Sequence, residues 1–222
     1  MIALQHWFID FDETLATGSL TWAQETAFPK LIKQYGLNDD PVLLDRALMV
    51  AQEESTRDHD PRRILDELFV TMQWPLDLAS VLLTDIYTNY QPRVFDDALS
   101  LLERLQKAGR RAFVVSNNPV SGKFVTALGL GDRIETVFTP RTFKDIRPKP
   151  YRDVWDLITG MHPEITADNS VIVGDDPWAD GEFAQNCGVR CYLVDRTGRF
   201  AQHTERFTFE WVRSLDDIRL SE

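Results

Sequence analysis

Four short segments carry side chains that could act together. Asp10 and Asp12 stand two residues apart; Ser116 and Asn117 open a Ser-Asn-Asn-Pro run; Lys149 lies between Pro148 and Pro150. The fourth segment starts at Gly174 and holds Asp175, Asp176 and Asp180. Taken singly, each has a plain structural reading. Asp-x-Asp after an apolar run makes a turn or helix cap, Ser-Asn-Asn-Pro starts a helix, Gly-Asp-Asp-Pro caps one, and an isolated lysine is solvated. As a set they make a workable chemical combination. Crowded carboxylates repel one another and raise their pKa values. They are tolerable together chiefly around a cation, and an all-oxygen ligand set favours Mg2+.

Such residues cooperate only if distant parts of the chain bring them to one place. Apolar runs at 6–9, 112–115 and 171–173 end at Asp10, Ser116 and Gly174-Asp175, and 136–138 and 191–194 are similar runs. Runs this short, with no polar alternation, suit strands buried on both faces, as in parallel sheets. Helical patterns lie between them. Residues 95–108 carry Ala98, Leu101, Leu102 and Leu105 on one stripe, with Gly109 as a C-cap, and 121–128, 151–158 and 178–187 repeat the pattern more weakly. This alternation predicts a doubly wound, Rossmann-like α/β core with a parallel sheet. Ligands in such sheets bind beyond the carboxyl ends of the strands. That is the edge where Asp10/Asp12, Ser116/Asn117 and Asp175/Asp176 would gather, joined by Lys149 ahead of another helix.

One stretch breaks the alternation. Residues 20–90 show only helical periodicity, with helices expected near 22–35, 41–54, 61–72 and 76–90. Asp40-Pro41 and Asp60-Pro61 are suitable N-cap and first-turn pairs. The expected organisation is therefore a catalytic core of 1–17 and 92–222 with an inserted all-helical domain at 18–91. The tail is expected to add an edge strand at 207–209 and a closing helix at 215–220.

Composition narrows the partners. The 222 residues carry a formal net charge of −11 with 43% hydrophobic residues. That charge disfavours nucleic acid and anionic lipid, and Arg62-Arg63 and Arg110-Arg111 are isolated pairs that form no basic block. An anionic substrate would meet the same repulsion, so on charge grounds alone it would need a divalent cation beside it. Cys187 and Cys191 offer no metal-finger spacing or disulfide framework and read as buried thiols in a reducing compartment. Residues 1–9 lack the features of a signal peptide, and no apolar stretch approaches membrane-spanning length. A cytoplasmic protein is the expectation.

The ordered set of segments resembles the haloacid dehalogenase superfamily, whose members are mostly phosphatases, in its capped phosphatase branch. Asp10-Phe11-Asp12-Glu13-Thr14 matches the first motif, Asp-x-Asp-x-Thr; Ser116 matches the second and Lys149 the third. Gly174-Asp175 with Asp180 matches the Gly-Asp-x-x-x-x-Asp form of the fourth. The resemblance runs from Ile9 to about Val194. It implies Asp10 as nucleophile, and Asp12 as general acid and then base, with its main-chain carbonyl on the metal. It further implies Ser116, with the amide of Asn117, as the phosphate grip and Thr14 as a hydroxyl behind the nucleophile. Lys149 would neutralise charge, Asp175 would ligate Mg2+ beside Asp10, and Asp176 and Asp180 would stand behind the metal or Lys149.

The implied activity is Mg2+-dependent hydrolysis of a small phosphorylated metabolite through an aspartyl-phosphate. A phosphomutase or phosphonatase on the same scaffold, and a non-catalytic phosphate-binding regulatory protein, are the alternatives. Asp12 counts against dehalogenation, because a halide leaves without a proton. The helical insert resembles the cap domain of relatives, with linkers at 15–19 and 91–95 and Gly18 as a hinge. Arg57, His59, Arg62 and Arg63 lie between or at the start of cap helices and read as a solvated polar loop, with substrate contact as the alternative, and Lys30 and Lys33 read as surface lysines rather than imine formers. Phe183-Ala184 stands where relatives often have Gly-Ala, which implies altered helix packing.

Overall fold

The computed structural model describes residues 4–57, 60–198, 200 and 209–220. The chain divides into two compact units, one of residues 1–17 and 93–222 and the other of residues 18–92.

Among the described residues of the first unit, six strands form one sheet in which every neighbouring pair is parallel. They are β1 (His6–Ile9), β2 (Arg111–Val115), β3 (Thr136–Phe138), β4 (Ser170–Gly174), β5 (Arg190–Val194) and β6 (Glu210–Val212). The order is β3-β2-β1-β4-β5-β6, so the chain runs outward from β1 to β3 and then crosses back to the other side of β1. This reversal makes β1 the central strand at a topological switch point, where α/β sheets open a crevice at their carboxyl edge. In-register pairing sets Ile9 between Val114 and Val173, so the residues that follow these three strands leave the sheet side by side.

Period-2 alternation splits the apolar runs between two cores. Trp7, Ile9, Ala112, Val114, Val171, Val173, Tyr192 and Val194 face helices α6 (Asp96–Lys107) and α7 (Ser121–Ala127). Phe8, Phe113, Val115, Ile172, Cys191 and Leu193 face α8 (Asp153–Met161) and α9 (Glu182–Cys187). Both faces are covered, which is why the strands read as unbroken apolar runs. Cys187 and Cys191 are both buried in the second core. Phe183 is buried there too, filling space beside Phe8 and Ile172.

The tail departs from expectation. Phe207 and Thr208 lie outside the described residues, and the edge strand is Glu210–Val212, paired with Tyr192–Val194. The closing helix shrinks to one 3-10 turn, Leu215–Asp217, with a Ser214/Asp217 capping box. Arg104 donates to the carbonyls of Leu215 (2.7 Å) and Ile218 (2.7 Å), and Ile218 is already extended, so no further helical turn follows.

The second unit is all-helical among its described residues: α1 (Ser19–Trp22), α2 (Phe28–Tyr35), α3 (Pro41–Arg57), α4 (Pro61–Met72) and α5 (Leu78–Asn89). The first expected helix is interrupted by a π-helical turn at Ala23–Ala27. Pro29 enters the next turn, and a proline there lacks an N–H and crowds the carbonyl four residues back, so the upstream turn widens. Asp40 and Asp60 cap as expected, accepting from the amides of Val42 (2.8 Å) and Arg62 (2.9 Å). The unit has its own core around Phe28, Leu48, Leu68, Phe69, Met72 and Trp74, whose indole donates to the Asn38 carbonyl (2.8 Å). Arg62 belongs to this framework, bonded to Asp66 (2.7 Å) and the Leu76 carbonyl (2.9 Å). His59 lies outside the described residues, and Lys30 and Lys33 are exposed. Gly18 has an extended backbone (φ −81°) that any residue can adopt. Among the described residues, no helix is long and apolar enough to cross a membrane.

Candidate active site

The site begins where β1 ends. The Asp10 amide still pairs with the Val173 carbonyl (2.8 Å), so the residue leaves the sheet locked beside β4. Phe11 turns into the core and stacks on Phe124 (ring centroids 6.0 Å apart). Asp10 lies on the opposite side, and Asp12 is near enough for its charge to raise the Asp10 pKa, which is the physical sense of the Asp-x-Asp spacing. Beyond Asp12 the chain folds back: Glu13 takes a left-handed conformation (φ +58°), and its amide bonds to the Ala16 carbonyl (2.7 Å). A non-glycine residue there is strained by about 1–3 kcal/mol and persists only where its surroundings fix it.

Lys149 is 3% exposed, and its ammonium donates to Asp10 Oδ1 (2.7 Å) and Asp180 Oδ1 (2.5 Å). Burial opposes the lysine's charge, but Asp10 and Asp180 outweigh it and hold its pKa above the ordinary value. Burial acts the other way on Asp10 and pushes it up to about 8; Lys149 pulls it down, while Asp180 and Asp12 push it further up. Burial, followed by Asp180 and Asp10, also raises Asp175 well above the usual carboxylate range. The cluster thus holds more negative charge than one lysine balances.

The backbone around Lys149 is fixed by Asn117. The Asn117 side-chain amide donates to the Lys149 carbonyl (2.9 Å), and its oxygen accepts from the Lys149 amide (2.9 Å). Its side chain therefore serves Lys149, a function that the sequence pattern did not suggest. Ser116 is buried at the end of β2, and its hydroxyl accepts from the Asn118 amide (3.1 Å). Thr14, fully buried, donates to Asp175 Oδ1 (3.3 Å).

After β4 the chain makes a π-helical turn, Pro177–Gly181, which returns Asp180 over the strand end. Asp180 Oδ2 accepts from the amides of Asp175 and Asp176 (3.2 Å each), so one carboxylate grips Lys149 with one oxygen and the loop after β4 with the other. Asp176 instead caps the turn, accepting from the amides of Trp178 (2.8 Å) and Ala179 (3.0 Å). Only glycine fits at 174: a Cβ there would lie 2.1 Å from Asp180 Cγ.

Asp10, Asp175 and Asp180 each present an oxygen within 4.8 Å of the others. An all-carboxylate set of this size suits a hard divalent cation. Asp180 already spends both oxygens on Lys149 and two amides, which leaves Asp10 and Asp175 as the better side-chain ligands. Three of the expected segments meet directly, through Asp10, Lys149 and Asp175 with Asp180; the segment after β2 joins them through Asn117 on the Lys149 backbone rather than through Ser116, and Thr14 is bonded to Asp175.

The family profile described as haloacid dehalogenase-like hydrolase matches residues 8–194. No curated protein is similar enough in sequence to be matched. Solved structures of like fold include a haloacid dehalogenase-type hydrolase from Bacillus subtilis bound to magnesium, with 14% identity, TM-score 0.71, covering 97% of this chain and 96% of that one. A phosphatase of this type from Thermococcus onnurineus shares 19% identity (TM-score 0.59, 96% and 95% covered). The L-2-haloacid dehalogenase from Xanthobacter autotrophicus shares 18% (TM-score 0.62, 96% of each covered). These likenesses show the fold, and the profile, spanning the sheet from β1 to the end of β5, shows more: the chain belongs to the haloacid dehalogenase-like hydrolase family.

Proposed function

We propose that this hydrolase removes phosphate from a small phosphorylated metabolite, with Mg2+ as cofactor and Asp10 as nucleophile. The observation that carries the reading is the buried chain Asp10–Lys149–Asp180 with Asp175 alongside. It offers a carboxylate held in place by a fixed cation, next to a second carboxylate group with unbalanced negative charge. Asp10, Asp175 and the main-chain carbonyl of Asp12 would hold the metal. When bound, the metal offsets the charge of phosphate oxygens and of the carboxylates themselves.

In the first step an Asp10 oxygen forms a bond to phosphorus, and the bond from phosphorus to the ester oxygen breaks. Asp12 gives its proton to that departing oxygen, so the alcohol leaves neutral. Asp12, now a carboxylate, takes a proton from water as the water oxygen attacks phosphorus. The bond from phosphorus to Asp10 breaks, inorganic phosphate forms, and both aspartates return to their starting states. Ser116 holds a phosphate oxygen, and Lys149 neutralises charge on Asp10 throughout. Phosphoryl transfer is mainly positioning and charge neutralisation, which this short set supplies.

Asp12 separates this reading from dehalogenation, because a halide needs no proton donor. Release of para-nitrophenol from its phosphate ester should need Mg2+, stop with EDTA and disappear in Asp10→Asn. A metabolite library then identifies the substrate. No release from any phosphorylated compound would sink the phosphatase, and turnover only with a bisphosphate activator would replace it with a mutase.

A further inference from the structure

The turn that joins Asp12 to Thr14 is held from outside by a residue the chemistry above does not use. Arg196 lies two residues beyond β5. Its Nη1 donates to the Glu13 carbonyl (2.6 Å), and its Nη2 donates to the Thr14 carbonyl (3.0 Å) and to Asp97 Oδ1 (2.7 Å). The guanidinium carbon sits 4.0 Å from the centre of the Phe95 ring. Asp97 is itself anchored, its Oδ2 accepting from the Ser214 hydroxyl (3.0 Å) and the Leu215 amide (2.9 Å). Phe95 is tied to the same loop, its amide donating to the Leu15 carbonyl (3.0 Å).

Several peptide groups of the turn are held by hydrogen bonds. The amide of Glu13 bonds to Ala16, and the amides of Leu15 and Ala16 both bond to the Phe11 carbonyl (3.0 Å each). The carbonyls of Glu13 and Thr14 go to Arg196. Peptide groups are planar, so holding them at successive positions fixes the backbone torsions between them. Those torsions include the left-handed Glu13, which lies between Asp12 and the hydroxyl that reaches Asp175. A planar fork can serve two carbonyls and a carboxylate while lying on an aromatic ring; an ammonium on a flexible stem cannot reproduce that arrangement.

We propose that Arg196 is a positioning residue of the hydrolase, holding the Glu13–Thr14 turn so that Asp12 and Thr14 keep their places beside Asp10 and Asp175. The catalytic half of this proposal rests on the phosphatase reading; the structural half does not. Both are tested with Arg196→Ala and Arg196→Lys in the full chain. Hydrogen exchange followed by mass spectrometry should show faster exchange at residues 13–16 in both variants, with β1, β4 and β5 unchanged. With para-nitrophenyl phosphate and Mg2+, kcat should fall about 10–100-fold, the usual effect of losing a partner behind the reacting groups, while KM stays within about twofold. Added guanidinium should restore part of kcat in Arg196→Ala, and Arg196→Lys should stay low. Should Arg196→Ala fail to fold, Arg196→Lys carries both measurements. Unchanged exchange at 13–16, or a wild-type kcat in Arg196→Lys, overturns the proposal. Faster exchange in a protein whose wild type releases no phosphate keeps Arg196 as the holder of the turn and removes the phosphatase reading.

Discussion

Lys149 takes a full positive charge into a position 3% exposed, and two carboxylates meet it there. Removing one partner of a buried ion pair commonly costs about 3–5 kcal/mol, because the remaining charge is left unpaired. Lys149→Met should therefore lose stability on that scale in urea unfolding, and its turnover should fall about 10²–10³-fold, as when an electrostatic stabiliser is removed. Asn117→Ala tests a subtler effect. It removes both bonds to the Lys149 backbone without touching the ammonium, so stability should drop by about 1–3 kcal/mol. The kcat of Asn117→Ala should drop about 10–100-fold. A variant with full activity would show that Lys149 holds its position without this support. The residue types at 10, 12, 149 and 175 could be read as chemistry from their order and spacing. The paired hydrogen bonds of Asn117 could not, because their partner is a backbone 32 residues away whose course the sequence does not state.

The element that matters most to the site is the π-helical turn after β4. Asp180 reaches Lys149 because this turn folds its side chain back across Gly174. Gly174→Ala should displace Asp180, destabilise the fold by about 1–3 kcal/mol as overpacking does, and abolish turnover. Adding Asp180→Gly to Gly174→Ala should recover much of the stability and none of the activity. If the double variant is as unstable as Gly174→Ala alone, the clash lies elsewhere. The strands were legible because both sheet faces are buried, which leaves compact apolar runs. The π turns and the 3-10 tail were not. One depends on crowding near Pro29, another on the return of Asp180, and the last on Arg104 taking carbonyls that a longer helix would use.

At the scale of the whole molecule, the acidic site is a cost to the metal-free fold. Asp10 has a pKa of about 8 in the folded chain against an ordinary 3.8, and Asp175 is raised in the same direction. Between those values the folded state keeps protons that the unfolded chain releases, so this contribution to stability is full below pH 3.8 and is lost as pH rises toward about 8. Metal-free protein should thus lose thermal stability across that window, and Asp175→Asn should flatten the loss. Mg2+ should raise the melting temperature most at the alkaline end, where the carboxylates are already deprotonated and unbalanced, and at lower pH, where protons still occupy the site, its binding should release them in calorimetry. A melting temperature that is indifferent to Mg2+ at pH 8 would argue against a metal at these carboxylates.

The sequence by itself determined the alternation of buried strands and amphipathic helices, the helical insert, and the set of polar residues that close each strand. All of these follow from local periodicity and from a parallel topology that sends strand ends to one edge. Tertiary structure alone decided which of those residues touch. Asp180 rather than Asp176 grips Lys149, Asn117 turns to a backbone, and Arg196 reaches the turn after Asp12 from the far end of β5. Such contacts depend on side-chain direction and on chain returns across 31 to 183 residues, and neither leaves a periodic trace in the order of amino acids.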